Sequence, residues 1–216
     1  MNELDLAALR QEYAAAELNE ADAPLEPWPL FARWLHEAVT AEVVEPNAMT
    51  LATVDEHGRP DARVVLLKGW DPRGLVFFSN YRSAKGQALA RHPEAALVLW
   101  WGPLERQVRA RGPVTRVSSE ESDAYFASRP EGSRFGAAAS PQSEVVADRA
   151  VLAAALERLR AAHPSGDVPR PEHWGGYRVA VRELEFWQGR RSRLHDRLRY
   201  RAQPNGGGWT RERLAP

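Results

Sequence analysis

The sequence predicts a mainly β fold with flanking helices, its strands curled into a barrel or a highly curved antiparallel sheet. Three observations carry this. Short apolar runs alternate with tight turns, DEHGRP at 55–60, DPRG at 71–74 and PNGGG at 204–208. Crossover helices are too few for a doubly wound sheet. The 216 residues, 44% hydrophobic and 27% charged, suffice for one domain with a real core.

Taken in order, residues 3–18 read as a short helix with Leu6, Leu9 and Tyr13 on one side. A Pro-rich stretch at 23–29 leads into a helix over 30–44 that faces a core with Phe31, Trp34, Leu35 and Ala38. Strands follow at 49–54, 62–68 and 75–79, then a helix over 83–91 opened by Ser83 and stopped before Pro93. Residues 95–101 and 105–117 read as a fourth and a fifth strand, the latter bent at Gly112–Pro113. A helix over 119–129 is capped by Ser118 or Ser119, and 127–143 reads as a long loop. Residues 144–162 carry a helical stripe of Val145, Leu152, Leu156 and Leu159. A linker at 164–171 precedes strands at 176–181, 183–188 and 193–201, and a last strand at 209–214 closes a hairpin. The expected organisation is a mobile segment over 1–20 and a single domain over 21–216.

Composition excludes several classes of function. There is no cysteine, so no disulfide, thiolate nucleophile or Fe–S cluster. The six histidines lack ligand spacing, so no metal is expected. No GxSxG elbow exists. No apolar run is long enough for a membrane span, and the acidic N-terminus lacks a basic-then-apolar leader, so a cytoplasmic location is expected. Formal net charge is zero, and no nucleic-acid recognition motif is present. Charge is nevertheless uneven: residues 1–62 hold 3 arginines against 13 acids, and residues 170–216 hold 11 arginines against 5.

Of 29 basic residues only Lys68 and Lys85 are lysines, which suits positions that need a compact point charge. Four groups are candidates for chemistry. Strand alternation over Arg63–Lys68 sets its two charges on opposite faces, as a ligand grip or as an ordinary half-buried strand. Ser79–Lys85 leaves a strand and opens a helix, an anion seat or a plain helix cap. Tyr125 and Arg129 share a helical face, with Ser133 beyond Pro130, as a phosphate clamp or an exposed aromatic–arginine pair. Alternation puts Arg193, His195 and Arg197 on one strand face, facing an anionic ligand or water. Trp174 and Trp187 lie near glycines, where a flat ligand or the core would take them.

Together, LRQEY (9–13), RVVLLK (63–68), LVFFSN (75–80), LERQV (104–108), YFASRPEGS (125–133), SPQS (140–143), HWGGYRV (173–179) and EFWQGRRSRLHDR (185–197) are specific. Over essentially its full length the chain resembles the pyridoxine/pyridoxamine 5′-phosphate oxidase family. The resemblance implies an FMN-binding split β-barrel that works as a homodimer with FMN at the interface. It implies FMN contacts from Arg63, Val64, Val65, Leu66, Leu67, Lys68, Phe78, Ser79, Lys85, Gln107, Gln142, Ser143, Trp187 and Arg197. It implies substrate contacts from Lys68, Tyr125, Arg129, Ser133, Arg193 and His195, with the segment from Arg10 to Tyr13 folding over the substrate. The implied reaction oxidises pyridoxine or pyridoxamine 5′-phosphate to pyridoxal 5′-phosphate and reduces O2 to hydrogen peroxide, with Arg193 and His195 orienting the pyridine and His195 suited to moving a proton. Three positions depart from the family pattern: Ala84 stands where an arginine is frequent, Gln11 where a second one is, and Ala138 where a tryptophan is. The alternatives are a related FMN oxidase of another aromatic, or a flavin-binding protein without turnover.

Overall fold

Asp-led and Gly-led turns set the strand pairs. In the computed structural model, which describes residues 12–204 and 206–216, the Asp55 carboxylate accepts from the backbone N–H groups of His57 and Arg59, at 2.9 and 2.8 Å. That turn joins β1 (Ala48–Val54) to β2 (Pro60–Leu66) antiparallel, with Leu51 opposite Arg63. A second turn, in which Asp71 accepts from the Arg73 N–H at 2.7 Å, joins β3 (Gly69–Asp71) to β4 (Gly74–Asn80). Gly74 is required here: its φ is +138°, and a Cβ would stand 2.0 Å from the Val179 carbonyl oxygen.

Two compact units result. The central unit comprises Ala48–Leu97 and Arg111–Val181; the terminal unit comprises the residues up to Asn47 with Val98–Ala110 and Arg182–Pro216. The chain leaves the central unit within β5 (Glu94–Trp101) and returns to it within β6 (Arg106–Arg116).

In the central unit β4 pairs antiparallel with β7 (Trp174–Val179), Phe78 opposite Gly176, and β7 pairs with the far end of β6, Val114 opposite Val179. Helix α2 (Ala84–Arg91) is capped by Ser83, whose Oγ accepts from the Gly86 N–H. Helix α3 (Ser119–Ser128) is capped by Ser118. Helices α4 (Glu131–Ala139) and α5 (Arg149–Ala162) follow. Phe126, Phe135, Val168 and Trp174 form a buried cluster against which Leu156 and Leu159 pack.

In the terminal unit α1 (Pro27–Thr40) buries Leu30, Phe31, Trp34 and Ala38. Strands β8 (Glu183–Gln188), β9 (Asp196–Ala202) and β10 (Trp209–Arg213) form an antiparallel meander, Leu184 opposite Tyr200 and Arg211 opposite Tyr200 on its other side. Trp34 meets Phe186 edge-on at 5.2 Å.

Short antiparallel strands with helices at their flanks bear out the predicted class, with six corrections. The stretch 127–143 is not all loop, because Pro130 opens α4 and Phe135 anchors it in the cluster. The helix read over 144–162 begins at Arg149, where the Asp148 carboxylate accepts from the N–H groups of Ala150 and Val151, leaving Val145 outside and fully exposed. The helix read over 30–44 is shifted to Pro27–Thr40, since Pro27 suits a first helical position. Residues 12–18 of the helix read over 3–18 are not helical; the rest lies outside the described residues. Their backbone is drawn away by other partners: Ala15 N–H donates to Glu105 at 2.9 Å and Leu18 N–H to Asp196 at 3.1 Å. Finally, the strand read over 193–201 starts at Asp196, and β2 stops at Leu66 before Lys68. No described helix is long and apolar enough to cross a membrane.

Candidate active site

The ends of several central-unit elements converge on a cavity of about 420 Å³. Strand β2 brings Val64, Val65 and Leu66, and Lys68 follows it. The end of β4 brings Phe78, Ser79 and Asn80, and α2 brings Lys85. Tyr125 and Arg129 come from the end of α3, Gly136 and Ala137 from α4, Ser140 and Gln142 from the segment after it, and Trp174 from the start of β7.

One wall is aromatic. Phe78 stacks on Tyr125 at 3.9 Å and on Trp174 at 5.6 Å, the three rings within 23° of parallel. Gly176, opposite Phe78 in the sheet, leaves room for this ring, since a Cβ there would lie 2.8 Å from Phe78 Cε1. The Arg129 guanidinium lies 4.7 Å from the Trp174 ring centre, and its Nη1 is buried without a hydrogen-bond partner.

The opposite chemistry is cationic. Lys85 is 8% exposed, and its Nζ donates to Ser83 Oγ at 3.1 Å. Burial lowers its pKa, the nearby Arg63 lowers it further, and Asp61 pulls weakly the other way. Arg63 itself is held by Thr53 Oγ1 at 2.7 Å, the Leu51 carbonyl at 3.2 Å and the Asp61 carboxylate. No described carboxylate forms an ion pair with Lys68, Lys85 or Arg129. Of the three, Lys85 is buried and Arg129 half-buried with a buried Nη1, and both favour an anion in the cavity, while Lys68 is exposed at its mouth.

A second group sits in the terminal unit. His195 lies 4.6 Å from Trp187, and Tyr13 meets both rings at 5.7 Å. Gly189 permits this, because a Cβ there would stand 2.8 Å from that of Tyr13. Burial, and then the Arg193 cation, lower the His195 pKa. Arg197 donates to Glu185 at 2.8 Å and to the Ala215 carbonyl at 2.9 Å. Gln107 is half-buried on β6.

The structure thus brings together Val64, Val65, Leu66, Lys68, Phe78, Ser79, Lys85, Tyr125, Arg129 and Gln142. Arg63 stands behind Lys85, and Leu67 is buried away from the cavity lining. Ser133 is exposed on the first turn of α4, and Ser143 takes a left-handed φ of 75° just past Gln142; neither lines the cavity. Tyr13, Gln107, Trp187, Arg193, His195 and Arg197 belong to the terminal unit. Arg10 lies outside the described residues. Two alternation arguments fail. Lys68 is past the end of β2, and Arg193 and His195 precede β9 in a turn, so strand periodicity assigns none of them a face. Nor do Tyr125 and Arg129 share a helical face, since Arg129 has left the helix with ψ of 146°. Gly136, Ala137 and Ser140 were missed as lining residues, whereas Asn80, within the Ser79–Lys85 segment, and Trp174, raised as a partner for a flat ligand, do line the cavity.

A family model described as "Pyridoxamine 5′-phosphate oxidase" matches residues 35–163, and one described as "Pyridoxine 5′-phosphate oxidase C-terminal dimerisation region" matches 174–216. The chain belongs to the pyridoxamine 5′-phosphate oxidase family. A pyridoxine/pyridoxamine 5′-phosphate oxidase of Thermosynechococcus vestitus is 59% identical over 211 residues, 98% of this chain and 99% of the relative. One from Synechocystis is 53% identical over the whole of both chains. Among solved structures, PhzG from Burkholderia lata in complex with tetrahydrophenazine-1-carboxylic acid superposes with a TM-score of 0.86 at 33% identity, covering 94% of this chain and all of that one. An FMN-binding protein of Nostoc punctiforme related to pyridoxamine 5′-phosphate oxidase gives 0.71 at 20% identity, covering 89% of this chain and all of that one. The fold is the split β-barrel of this oxidase family, a fold associated with FMN.

Proposed function

We propose that the protein is an FMN-dependent oxidase that converts pyridoxine and pyridoxamine 5′-phosphates to pyridoxal 5′-phosphate and reduces O2 to hydrogen peroxide. The observation that carries this is one cavity in which Lys85 and the buried Nη1 of Arg129, neither paired with a described carboxylate, face a wall of stacked rings. FMN and the substrate each bring a phosphate and a flat ring, so the donor set fits both. Lys85, backed by Arg63 and Ser79, holds the cofactor phosphate, while Val64–Leu66, Lys68 and Gln142 line its remaining length. Arg129, Tyr125 and Lys68 hold the substrate phosphate and so fix the distance of its C4′ from the flavin. Bound here, FMN would supply a hydride acceptor for C4′ and a route for both electrons to O2. The protein's own work is to position the substrate, exclude water around it and orient its pyridine through Arg193 and His195. Trp187, Arg197 and Gln107 address the cofactor, and Arg10 and Tyr13 cover the substrate. A homodimer with FMN at its interface belongs to the same proposal, supported by the dimerisation-region match over 174–216.

The visible spectrum tests this directly. Purified protein should show a flavin band that bleaches on anaerobic addition of pyridoxine 5′-phosphate, and readmitted O2 should restore it with release of peroxide. Colourless protein that ignores added FMN would refute the cofactor. A flavin band that pyridoxine and pyridoxamine phosphates leave untouched would refute the substrate. The likeness to PhzG favours a second reading in that case, an FMN oxidase of another aromatic acid. A substrate without a phosphate would leave Arg129 without work.

A further inference from the structure

Between β8 and β9 the chain doubles back within the seven residues 189–195. Ser192 and Arg193 both adopt left-handed backbone, with φ of 55° and 60°, although neither is glycine. Side chains with a Cβ resist that region, so two in succession mark a turn held by its surroundings. The turn returns His195 to Arg190. The Arg190 backbone N–H donates to Nδ1 of His195 at 3.1 Å, and the Leu194 N–H donates to the Arg191 carbonyl at 3.2 Å. The ring then packs against both Trp187 and Tyr13, which also meet each other at 5.7 Å.

A neutral imidazole has one N–H and one lone pair. The nitrogen that accepts from Arg190 carries no proton, so the proton resides on Nε2. We infer that the Arg190–His195 clasp locks His195 in its Nε2–H tautomer, which makes it a fixed hydrogen-bond donor to an acceptor oxygen of the substrate and not a proton acceptor. This rests on the proposed function, in which that oxygen is the ring oxygen of the phosphorylated pyridine.

The charges around the ring agree. Arg193 opposes a second proton, as does burial, and Asp196 favours one more weakly. The Arg190 side chain is turned to Glu17 and Asp196. Protonating Nδ1 would set one N–H against another and break the clasp. His195 therefore takes no proton from C4′: Nδ1 is engaged and Nε2 is already protonated. Its contribution is discrimination, because a ligand lacking the oxygen leaves a desolvated N–H unpaired.

Nitrogen NMR on the holoenzyme tests the tautomer without any substrate. With 15N-histidine labelling, the difference between the native protein and His195→Gln isolates the His195 ring; His195→Asn serves if the first variant fails to fold. The expected long-range 1H–15N pattern is that of a neutral, Nε2-protonated ring at neutral and mildly alkaline pH. An Nδ1–H pattern, an average of both tautomers, or a doubly protonated ring at neutral pH overturns the inference. A second arm measures dissociation constants for pyridoxal 5′-phosphate and its analogue lacking the ring hydroxyl. The native protein should prefer the former by about tenfold. His195→Asn, which keeps an acceptor for Arg190 but has no Nε2, should lose that preference, and its retention overturns the donor role. Failure to bind either ligand overturns the proposed substrate, a result separate from the tautomer that the nitrogen spectrum reports.

Discussion

In the terminal unit most arginines of the sheet face carboxylates; in the cavity of the central unit the cations face none. Arg197 pairs with Glu185, Arg199 with Glu212, Arg201 with Glu183 and Arg213 with both Glu20 and Asp196. Glu185, 2% exposed, also meets Arg109 at 3.1 Å. The central unit pairs its arginines too where they lie outside the cavity, Arg178 with Asp71 and Glu121, and Arg170 with Asp123. A cation with an internal partner is satisfied by the fold, whereas a buried one without such a partner leaves its desolvation cost for a ligand to offset. The arginine row at 193–201, which in sequence resembles a ligand strip, is thus mostly structural, Arg197 being the paired member to which the proposed function also gives a cofactor contact. Arg193 is the member of that row with no described carboxylate partner.

Exchanging the roles of the two regions is the strongest way to break this contrast. Lys85→Met should weaken FMN binding by about 100-fold, the loss of a charge-assisted contact to phosphate, while leaving the cofactor-free protein as stable as before or more so. FMN titration and thermal unfolding of the cofactor-free protein check both halves, and a destabilised protein with unaltered FMN affinity would contradict the assignment. Arg197→Met should do the reverse to stability, costing about 2 kcal/mol because it strips a partner from the buried Glu185. Denaturant unfolding of the two variants side by side reads the difference. Arg193→Ala sharpens the contrast further. Lacking a structural partner, Arg193 should matter little to unfolding, yet its loss should slow turnover of pyridoxine 5′-phosphate about tenfold with flavin retention little changed. An unchanged rate would remove Arg193 from the site.

Much of this was legible in the sequence where the signal is local. The β8 span was read to the residue, and β1, β4, β5 and β6 to within about two, because turn residues and alternation agree there. Ser83 and Ser118 were recognisable caps for the same reason. Structure that depends on distant partners was not legible. The three-residue β3 forms only because β4 folds onto it. Helix α4 hides among Gly132, Ser133 and Gly136, and what decides it is the burial of Phe135. The turn at Ser192–Arg193 defeated strand periodicity, since left-handed backbone at serine and arginine has no sequence signature. The segments that line the cavity were legible through their likeness to the oxidase family. Which of their side chains stay unpaired depends on where carboxylates fall in space.

The smallest effect expected concerns Glu20, at the edge of the paired network. Arg213 donates to its two oxygens at 2.5 and 2.7 Å and thereby holds its pKa down to about 2, against an ordinary 4.5. Because the folded pKa is depressed, the stabilisation is fully present above about pH 4.5 and is lost as pH falls toward 2. Comparing the melting temperature of the native protein with that of Glu20→Gln should therefore give a small, constant difference at neutral pH that shrinks progressively in acid. Both side chains reach solvent, so salt should diminish the difference as well. FMN affinity should be the same in the two proteins, since this pair completes the fold and leaves no charge for a ligand. A Glu20→Gln variant that lost FMN while keeping its melting temperature would show that the Glu20–Arg213 pair also serves the cofactor, and the division between the two kinds of cation would fail at that pair.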